Sequence, residues 1–463
     1  MLVYELLYKY PNIISGIAIL ENDNYNLLLY NHPESNVTKK ELESKLKYIS
    51  NKLSCTYDVK ATSYFLKRFF DITLNKTIDL VTLSSMSGNS NKYNIPVDPS
   101  VQIIQKVSMY NDLEDEFVKF PRYILERHFK NRLKYIFDTI SNHLSGPRND
   151  FDLDQYVNHF VGISKSVGVL EAAGYSVDTT VVEDMLSCGE LKNHWSKIRS
   201  LSRMNYPIYS IDTSSTGRLA SGSKYGAKFN ALAIPKNIRK CIVPKRDIFV
   251  ELDYTSFEFN VLLFLYGPDI LIEKLKNIYD VICEEANIEN RDIVKSIVFK
   301  KIYGIGGTIT DLEIKRTLTE NNIGQSKVYI FNKYLDWIED VKDLIQQTVM
   351  SSKENYIKTA FGRKINFSND NISRKNLLFN NVIQSTASDI ALNALSKIQE
   401  YLSNKNSEVI LFCHDSFLID LDLNEKNSIN NMSLILQNIL QNHTMPVNIS
   451  IGKNYGSMRK INV

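Results

Sequence analysis

The sequence predicts a mixed α+β protein, on three observations. Short apolar runs alternating with turn residues fill residues 1 to about 105, a pattern of small strands and helices. From about 110 to 205, and again at 290–304, 326–350 and 383–402, apolar residues recur at helical spacing instead. Near the C-terminus, Val409 to Cys413 and Phe417 to Ile419 form two apolar runs around His414, Asp415 and Ser416, which reads as a buried hairpin with a polar tip.

Taken in order, IISGIAIL and YNLLLY predict a hairpin about the turn Asn22-Asp23-Asn24, followed by helices over Lys39 to Leu53 and Tyr64 to Phe70. SSMSGNSNKYN, Ser84 to Asn94, reads as a loop. Phe117, Phe120, Tyr123, Leu125, Phe129, Leu133, Ile136 and Phe137 then carry the helical period. The window Thr213 to Arg246 holds eight basic residues and no Asp or Glu, with Gly217, Gly222 and Gly226 among them. It is either a solvated loop or a contact surface for a polyanion. Ile248 to Leu252 predicts a buried strand ending at Asp253, Ser326 to Met350 one long amphipathic helix, and Val447 to Ile451 a last strand.

Composition narrows the classes of function. The chain has 463 residues, enough for about three domains, and a net charge of +3 that by itself implies no partner. Five scattered cysteines without a CxxC pair argue for a reducing compartment, and seven dispersed histidines argue against a zinc site. The N-terminus is interrupted by Glu5, Lys9 and Pro11 and lacks the layout of a signal peptide; no apolar run approaches a membrane span. A cytoplasmic location, no membrane association and a monomeric state are expected.

Two constellations carry chemistry. Asp253 ends an apolar strand and Asp415 tips a hairpin, so each carboxylate stands at the rim of a buried sheet. Brought together they repel unless a divalent cation lies between them; Mg2+ suits such a site because it takes only one or two protein carboxylates. Alone, each Asp is equally well a cap or turn residue. The second constellation is RDIVKSIVFKKIYG, where Arg291, Lys295, Phe299 and Tyr303 recur every four residues on one helical stripe. Two cations followed by two aromatics suit a triphosphate and a base; the alternative is an amphipathic helix with its aromatics in the core.

At this point the sequence resembles a known family. Asp253-Tyr254-Thr255-Ser256-Phe257-Glu258 is similar to motif A of the family A DNA polymerases, Arg291-x3-Lys295-x3-Phe299-x3-Tyr303-Gly304 to motif B, and His414-Asp415-Ser416 to motif C, usually HDE. SSTGRLAS from Ser214, NALAIP from Asn230, TAFGRK from Thr359, QSTASD from Gln384 and PVNISIGKNY from Pro446 resemble further segments in the same order. The matches cover about 206–456.

The resemblance implies a right-hand architecture. A small α/β domain would occupy 1–108, a helical thumb 109–205, the palm 206–275 and 376–463, and helical fingers 276–375. It implies a template-directed DNA polymerase working on primer-template DNA and dNTPs by two-metal nucleotidyl transfer. Asp253 and Asp415 would be catalytic, holding two Mg2+ ions with the backbone of Tyr254, and Mn2+ would be able to substitute. Arg291 and Lys295 would grip the triphosphate, Phe299 would pack on sugar and base, and Tyr303 would stand near the templating base. Glu258 would be the sugar gate. Arg218, Gln384, His414, Arg363 and Asn380 would contact the primer-template. Phe at 299 rather than Tyr implies discrimination against dideoxynucleotides. The sequence names no helicase or processivity factor; its richness in Asn, Lys, Ile and Tyr fits an AT-rich genome, and a viral or phage source is expected.

Departures from the pattern open two rival readings. Phage-type single-subunit RNA polymerases commonly read HDSF at motif C, as here, but Glu258 and Phe299 stand where those enzymes carry a small residue and Met. A primer-template binding protein with an inactive palm would be expected to lose one of Asp253, Asp415, Arg291 or Lys295, and all are present. Asp280-Val281-Ile282 replaces Asp-Ile-His, Asn376 stands where an Arg is expected, and Leu232-Ala233 replaces Gln-Asn. In the N-terminal region IISGIAIL lacks the DxE of a proofreading exonuclease, and Asp58 and Asp79 lie in stretches only loosely like its later segments. A degenerate domain without 3′–5′ exonuclease activity is expected. The window 111–205 is not net basic, so charge does not argue for a DNA grip there.

Overall fold

The structure is a computed structural model and describes residues 2–9, 13–86, 120–145, 156–188, 201–211, 214–222, 230–303 and 311–461. The loop expected at 84–94 lies largely outside these residues, as do parts of the basic window. The chain forms two compact units, Met1–Gly174 and Tyr175–Val463.

The first unit is built on a five-stranded sheet, β1 (Leu2–Lys9), β2 (Ile13–Glu21), β3 (Asn24–Leu29), β4 (Ser54–Thr56) and β5 (Thr77–Asp79), in the order β3-β2-β1-β4-β5. The expected hairpin is β2–β3. Asn22 and Asp23 take φ of 49° and 65°, the left-handed conformation that a two-residue hairpin turn requires. β1 was not legible in the sequence, because Glu5 and Lys9 interrupt its apolar run. In the fold Glu5 is buried with both carboxylate oxygens bound by Arg132, whose Nε donates at 2.9 Å. A paired and hydrogen-bonded acid is tolerated inside a strand where an isolated one is not.

Helix Lys39–Ser50 starts at a capping box between Thr38 and Glu41. Helix Val59–Phe70 begins five residues before the expected Tyr64, because the Asp58 side chain caps it by accepting from the Ala61 amide at 3.0 Å. Helix Arg122–Ser145 buries Leu125, Phe129, Leu133, Ile136 and Ile140 and packs on β1 and β2. Helix Gly162–Ala173 packs on Val59–Phe70, with the fully buried Glu171 bound to Lys60 at 2.8 Å. The boundary between the units, at Gly174, therefore falls inside the stretch 109–205.

The second unit opens with a small sheet, β6 (Tyr175–Val177), β7 (Met204–Asn205) and β8 (Ile242–Val243). Its main sheet is antiparallel, in the order β12-β13-β9-β14-β15, with β9 (Ile248–Tyr254) at the centre. β10 (Tyr356–Lys358) and β11 (Lys364–Asn366) form a separate hairpin. β12 (Glu408–Cys413) and β13 (Ser416–Leu421) are the expected hairpin, and β14 (Val447–Gly452) is the expected last strand, extended by β15 (Arg459–Ile461). One face of β9 carries Val250, Leu252 and Tyr254, all buried. Glu251 and Asp253, on the other face, are only half-buried.

Helix Lys375–Leu402 packs on helix Phe257–Tyr266 and on β12, and helix Ser428–Gln437 on β14. It begins eight residues before the expected Ile383, because Leu378, Phe379 and Val382 extend its buried stripe. The single helix expected over 326–350 is broken at Asp336 into Val328–Leu335 and Trp337–Ser351. Asp336 accepts from Lys301 Nζ at 3.0 Å, and the Trp337 indole donates to the Tyr334 carbonyl at 2.8 Å. Apolar period alone does not reveal such a break. Among the described residues no helix is long and apolar enough to cross a membrane.

Candidate active site

The site begins with the register of β9. Asp253 stands directly opposite Ser416 of β13 on one side and Asn448 of β14 on the other. At the end of the strand the Tyr254 amide donates to the Asp415 carbonyl at 3.1 Å, and the Thr255 amide to the Pro446 carbonyl at 2.8 Å. These bonds tie the tip of the β12–β13 hairpin to the strand that carries Asp253. The tip is a two-residue turn, His414-Asp415, closed by the Cys413–Ser416 pair and an Asp415 amide bond to the Cys413 carbonyl at 2.7 Å.

His414 has φ 58° and Ser256 φ 49°. The left-handed region costs a non-glycine residue about 1–2 kcal/mol, and here it is adopted on both sides of the same cleft. Ser256 turns the chain from β9 into helix Phe257–Tyr266, whose first turn carries Glu258.

The cleft has a volume of about 380 Å³ and brings together Asp253, Glu258, Arg218, His414, Asp415 and the helix Arg291–Tyr303. Burial, then the Asp415 charge and then Glu251 push the Asp253 carboxyl up to about 7, against the pull of Lys295. Burial raises Asp415 as well, and its own backbone amide, Arg218 and Lys295 oppose the rise. The two acids thus face two cations across the cleft. Lys295 is exposed, and Arg291 donates from Nε to Asp280 at 2.8 Å while lying 4.9 Å from the Tyr279 ring centre. Phe299 is 38% exposed and packs on the Tyr303 ring at 4.7 Å between centres. The four-residue stripe is therefore a real face, with Arg291, Lys295 and Phe299 lining the cleft and Tyr303 buried at its end.

Glu258 joins three motifs. One of its oxygens accepts from Arg218 and the other from the Tyr303 hydroxyl. Burial and Asp415 push its carboxyl up to about 7, and the ion pair with Arg218 works against that rise. Arg218 is presented by a loop in which Gly217 has φ 69°. A Cβ on Gly217 would stand 2.6 Å from the Arg363 guanidinium, so this position needs glycine for both conformation and space. Arg363 is buried. It donates to the Thr216 carbonyl at 3.2 Å, the Ser385 carbonyl at 3.1 Å and Asp389 at 3.0 Å. Ser388 donates to the Gly217 carbonyl at 2.9 Å.

Of the remaining expected residues, Asn380 lies behind the cleft, its amide donating to the Tyr303 carbonyl at 3.3 Å. Gln384 is half-buried on the same helix, one turn before Ser388, and does not line the cleft. Tyr279, Ser388 and Asn448 line it without having been singled out. Tyr279 sits next to Asp280 in a stretch without clear period, and Asn448 is placed only by the ladder between β14 and β9.

A model of DNA polymerase family A matches residues 202–457, more than half of the chain. The chain belongs to DNA polymerase family A. Among relatives of the family, DNA polymerase I of Caldicellulosiruptor bescii is 27% identical over 302 residues, 55% of this chain and 34% of that protein. DNA polymerase I of Borreliella burgdorferi is 26% identical over 327 residues, 61% of this chain and 35% of that protein. The chain spans about a third of the length of these relatives. The POL domain of Pol1 from M. smegmatis, solved in complex with DNA primer-template and dNTP, superposes with a TM-score of 0.73 at 13% identity, covering 98% of this chain and 95% of that one. This family A likeness is one of fold, and it agrees with the mixed architecture expected from the sequence.

Proposed function

We propose that the chain is a template-directed DNA polymerase that adds dNTPs to a primer 3′-hydroxyl, acting as a monomer in the cytoplasm. The observation that carries this reading is the single cleft in which Asp253 and Asp415 face Arg291, Lys295 and Phe299. The palm is assigned to 206–275 and 376–463, the fingers to 276–375, the thumb to 109–205 and a small α/β domain to 1–108.

The donor set fits a hard dication. Burial raises both half-buried carboxylates and the Asp415 charge raises Asp253 further, an arrangement relieved by a divalent charge, and Mg2+ needs no more than two from the protein. Asp253, Asp415 and the Tyr254 backbone carbonyl would hold two Mg2+ ions, which Mn2+ is able to replace. Held by these residues, such a metal would supply Lewis-acid chemistry to the primer hydroxyl and the leaving pyrophosphate.

The protein's own groups do the rest. Lys295 and Arg291 bind the triphosphate, and Arg291 must first exchange Asp280 for phosphate. Phe299 supplies the flat surface for sugar and base. Glu258 excludes a 2′-hydroxyl. Arg218, His414 and Gln384 meet the primer-template, Asn380 acts through Tyr303, and Arg363 acts through the Gly217 loop.

We further propose that the chain lacks proofreading. In the N-terminal sheet Glu5 is bound at both oxygens by Arg132. Asp58 caps a helix, and the buried Asp79 accepts from the Val59 and Thr82 amides at 2.9 and 3.2 Å.

The test is primer extension with dNTPs and rNTPs in parallel. Extension with dNTPs alone is expected, lost by about a thousandfold or more in Asp415→Ala. Efficient rNTP use by the unmodified protein rejects the DNA reading, and extension surviving Asp415→Ala rejects the role of that carboxylate.

A further inference from the structure

Ser416 is the position where the hairpin motif departs from the HDE usual in the motif C it resembles. It stands directly across the ladder from Asp253, on the face that looks into the cleft. Glu251 lies two residues before Asp253 on β9 and so shares that face; its own ladder partners are Leu418 and Ser450. Burial raises its carboxyl and Asp415 adds to the rise, while Arg239 and the Tyr455 and Ser416 hydroxyls oppose it. Tyr455 is buried, with Arg239 lying 4.6 Å from its ring centre and anchored from Nε to the Ile234 carbonyl at 3.1 Å. The Glu251 charge raises Asp253, and that of Asp415 raises Glu251, so the three acids share one face of the site.

We propose that Glu251 is a positioning acid of the cation site, carrying on β9 the third negative charge that Ser416 does not supply on β13. This rests on the reading that Asp253 and Asp415 hold divalent cations. Among the described residues no three acids or imidazoles are grouped to hold one ion, so Glu251 is not a third ligand. It acts through its charge. Two residues along a strand is about 7 Å. At that distance, in a half-buried setting, one full charge alters the affinity for a dication by about tenfold or more.

The experiment measures Mn2+ binding to the full chain by the paramagnetic resonance of free Mn2+, with thermal melts as a check on folding. Glu251→Gln is expected to weaken binding about tenfold. Adding Ser416→Glu to it is expected to restore most of the loss, since the charge returns to the same face. In primer extension, Glu251→Gln should raise the Mg2+ concentration for half-maximal rate and leave the rate at saturating Mg2+ nearly unchanged. Wild-type Mn2+ affinity in Glu251→Gln overturns the proposal, as does a folded double variant that binds no better than the single one. Should Glu251→Gln lose the native melt, Ser416→Glu in the unmodified background takes its place: it adds a charge directly opposite Asp253, so tighter Mn2+ binding is expected and unchanged binding overturns the proposal. Asp415→Ala is the control. If it binds Mn2+ as the unmodified protein does, the reading of the cation site itself fails, whatever Glu251 does.

Discussion

The guanidinium of Arg218 is ion-paired to the carboxylate of Glu258, forty residues further along the chain, and the Tyr303 hydroxyl holds the other oxygen of the same carboxylate. The residue proposed to sense the sugar is thus fixed by a residue proposed to sense the primer. Glu258→Ala should let ribonucleotides in, lowering the dNTP over rNTP preference by about tenfold or more. Arg218→Ala should lower it less, because Tyr303 still holds one oxygen. Competitive single-nucleotide incorporation measures both, and an unchanged ratio in Glu258→Ala removes Glu258 from sugar selection.

Phe299 presents a ring to the cleft without a hydroxyl, and Phe299→Tyr places one there. Dideoxynucleotide incorporation relative to dNTP should rise in this variant, with dNTP KM little altered. Chain-termination ladders at fixed nucleotide ratios read the change directly, and equal ladders would reject a sugar contact at Phe299.

Gly217→Ala tests the support of the primer-contact loop. The new methyl group meets both a left-handed backbone and the Arg363 guanidinium. A loss of about 1–2 kcal/mol in stability is expected from the backbone alone. Displacement of Arg218 should also weaken primer-template binding, which fluorescence anisotropy with a labelled duplex would follow beside the melt.

Burial pushes Asp79 of the N-terminal unit up to about 7. Between its ordinary value near 3.8 and that value, the folded state holds a proton that the unfolded state has released. Its contribution therefore favours folding at low pH and is lost as pH rises through this window. Asp79→Asn should flatten the fall in melting temperature between about pH 4 and pH 7 relative to the unmodified protein. Parallel pH profiles for the two would reject the assignment. The comparison with the variant matters because Asp253, Glu258, Asp389 and Asp420 are also raised.

What the sequence reveals of this site is what local spacing can encode. The Arg291, Lys295, Phe299 and Tyr303 stripe is a property of one helix, and the His414-Asp415 turn a property of one hairpin, so both are legible without the rest of the fold. Asp253 is legible because it closes a mainly apolar strand. Glu251 is not, since a charge inside a strand reads as an interruption until the ladder shows which face it occupies. The same holds for Glu5, which looks like a break in β1 until Arg132 arrives from a distant helix. Arg363 shows the opposite error. A cation in a motif resembling a DNA-binding segment invites a phosphate, yet its donors are engaged by Asp389 and the Thr216 and Ser385 carbonyls. Long-range partners, not residue type, set these outcomes.

Strand β9 is flanked on both edges by strands made much later, β13 and β14. During synthesis it waits, with two bare edges, while the helices that follow it emerge. Asp253 and Asp415 cannot become neighbours until the hairpin is out, and the sheet cannot close until Val447–Gly452 has joined. A chain stopped before Val447 should therefore be inactive and prone to self-association. Strand β14, which carries no charged residue of its own, is the latch that completes the site.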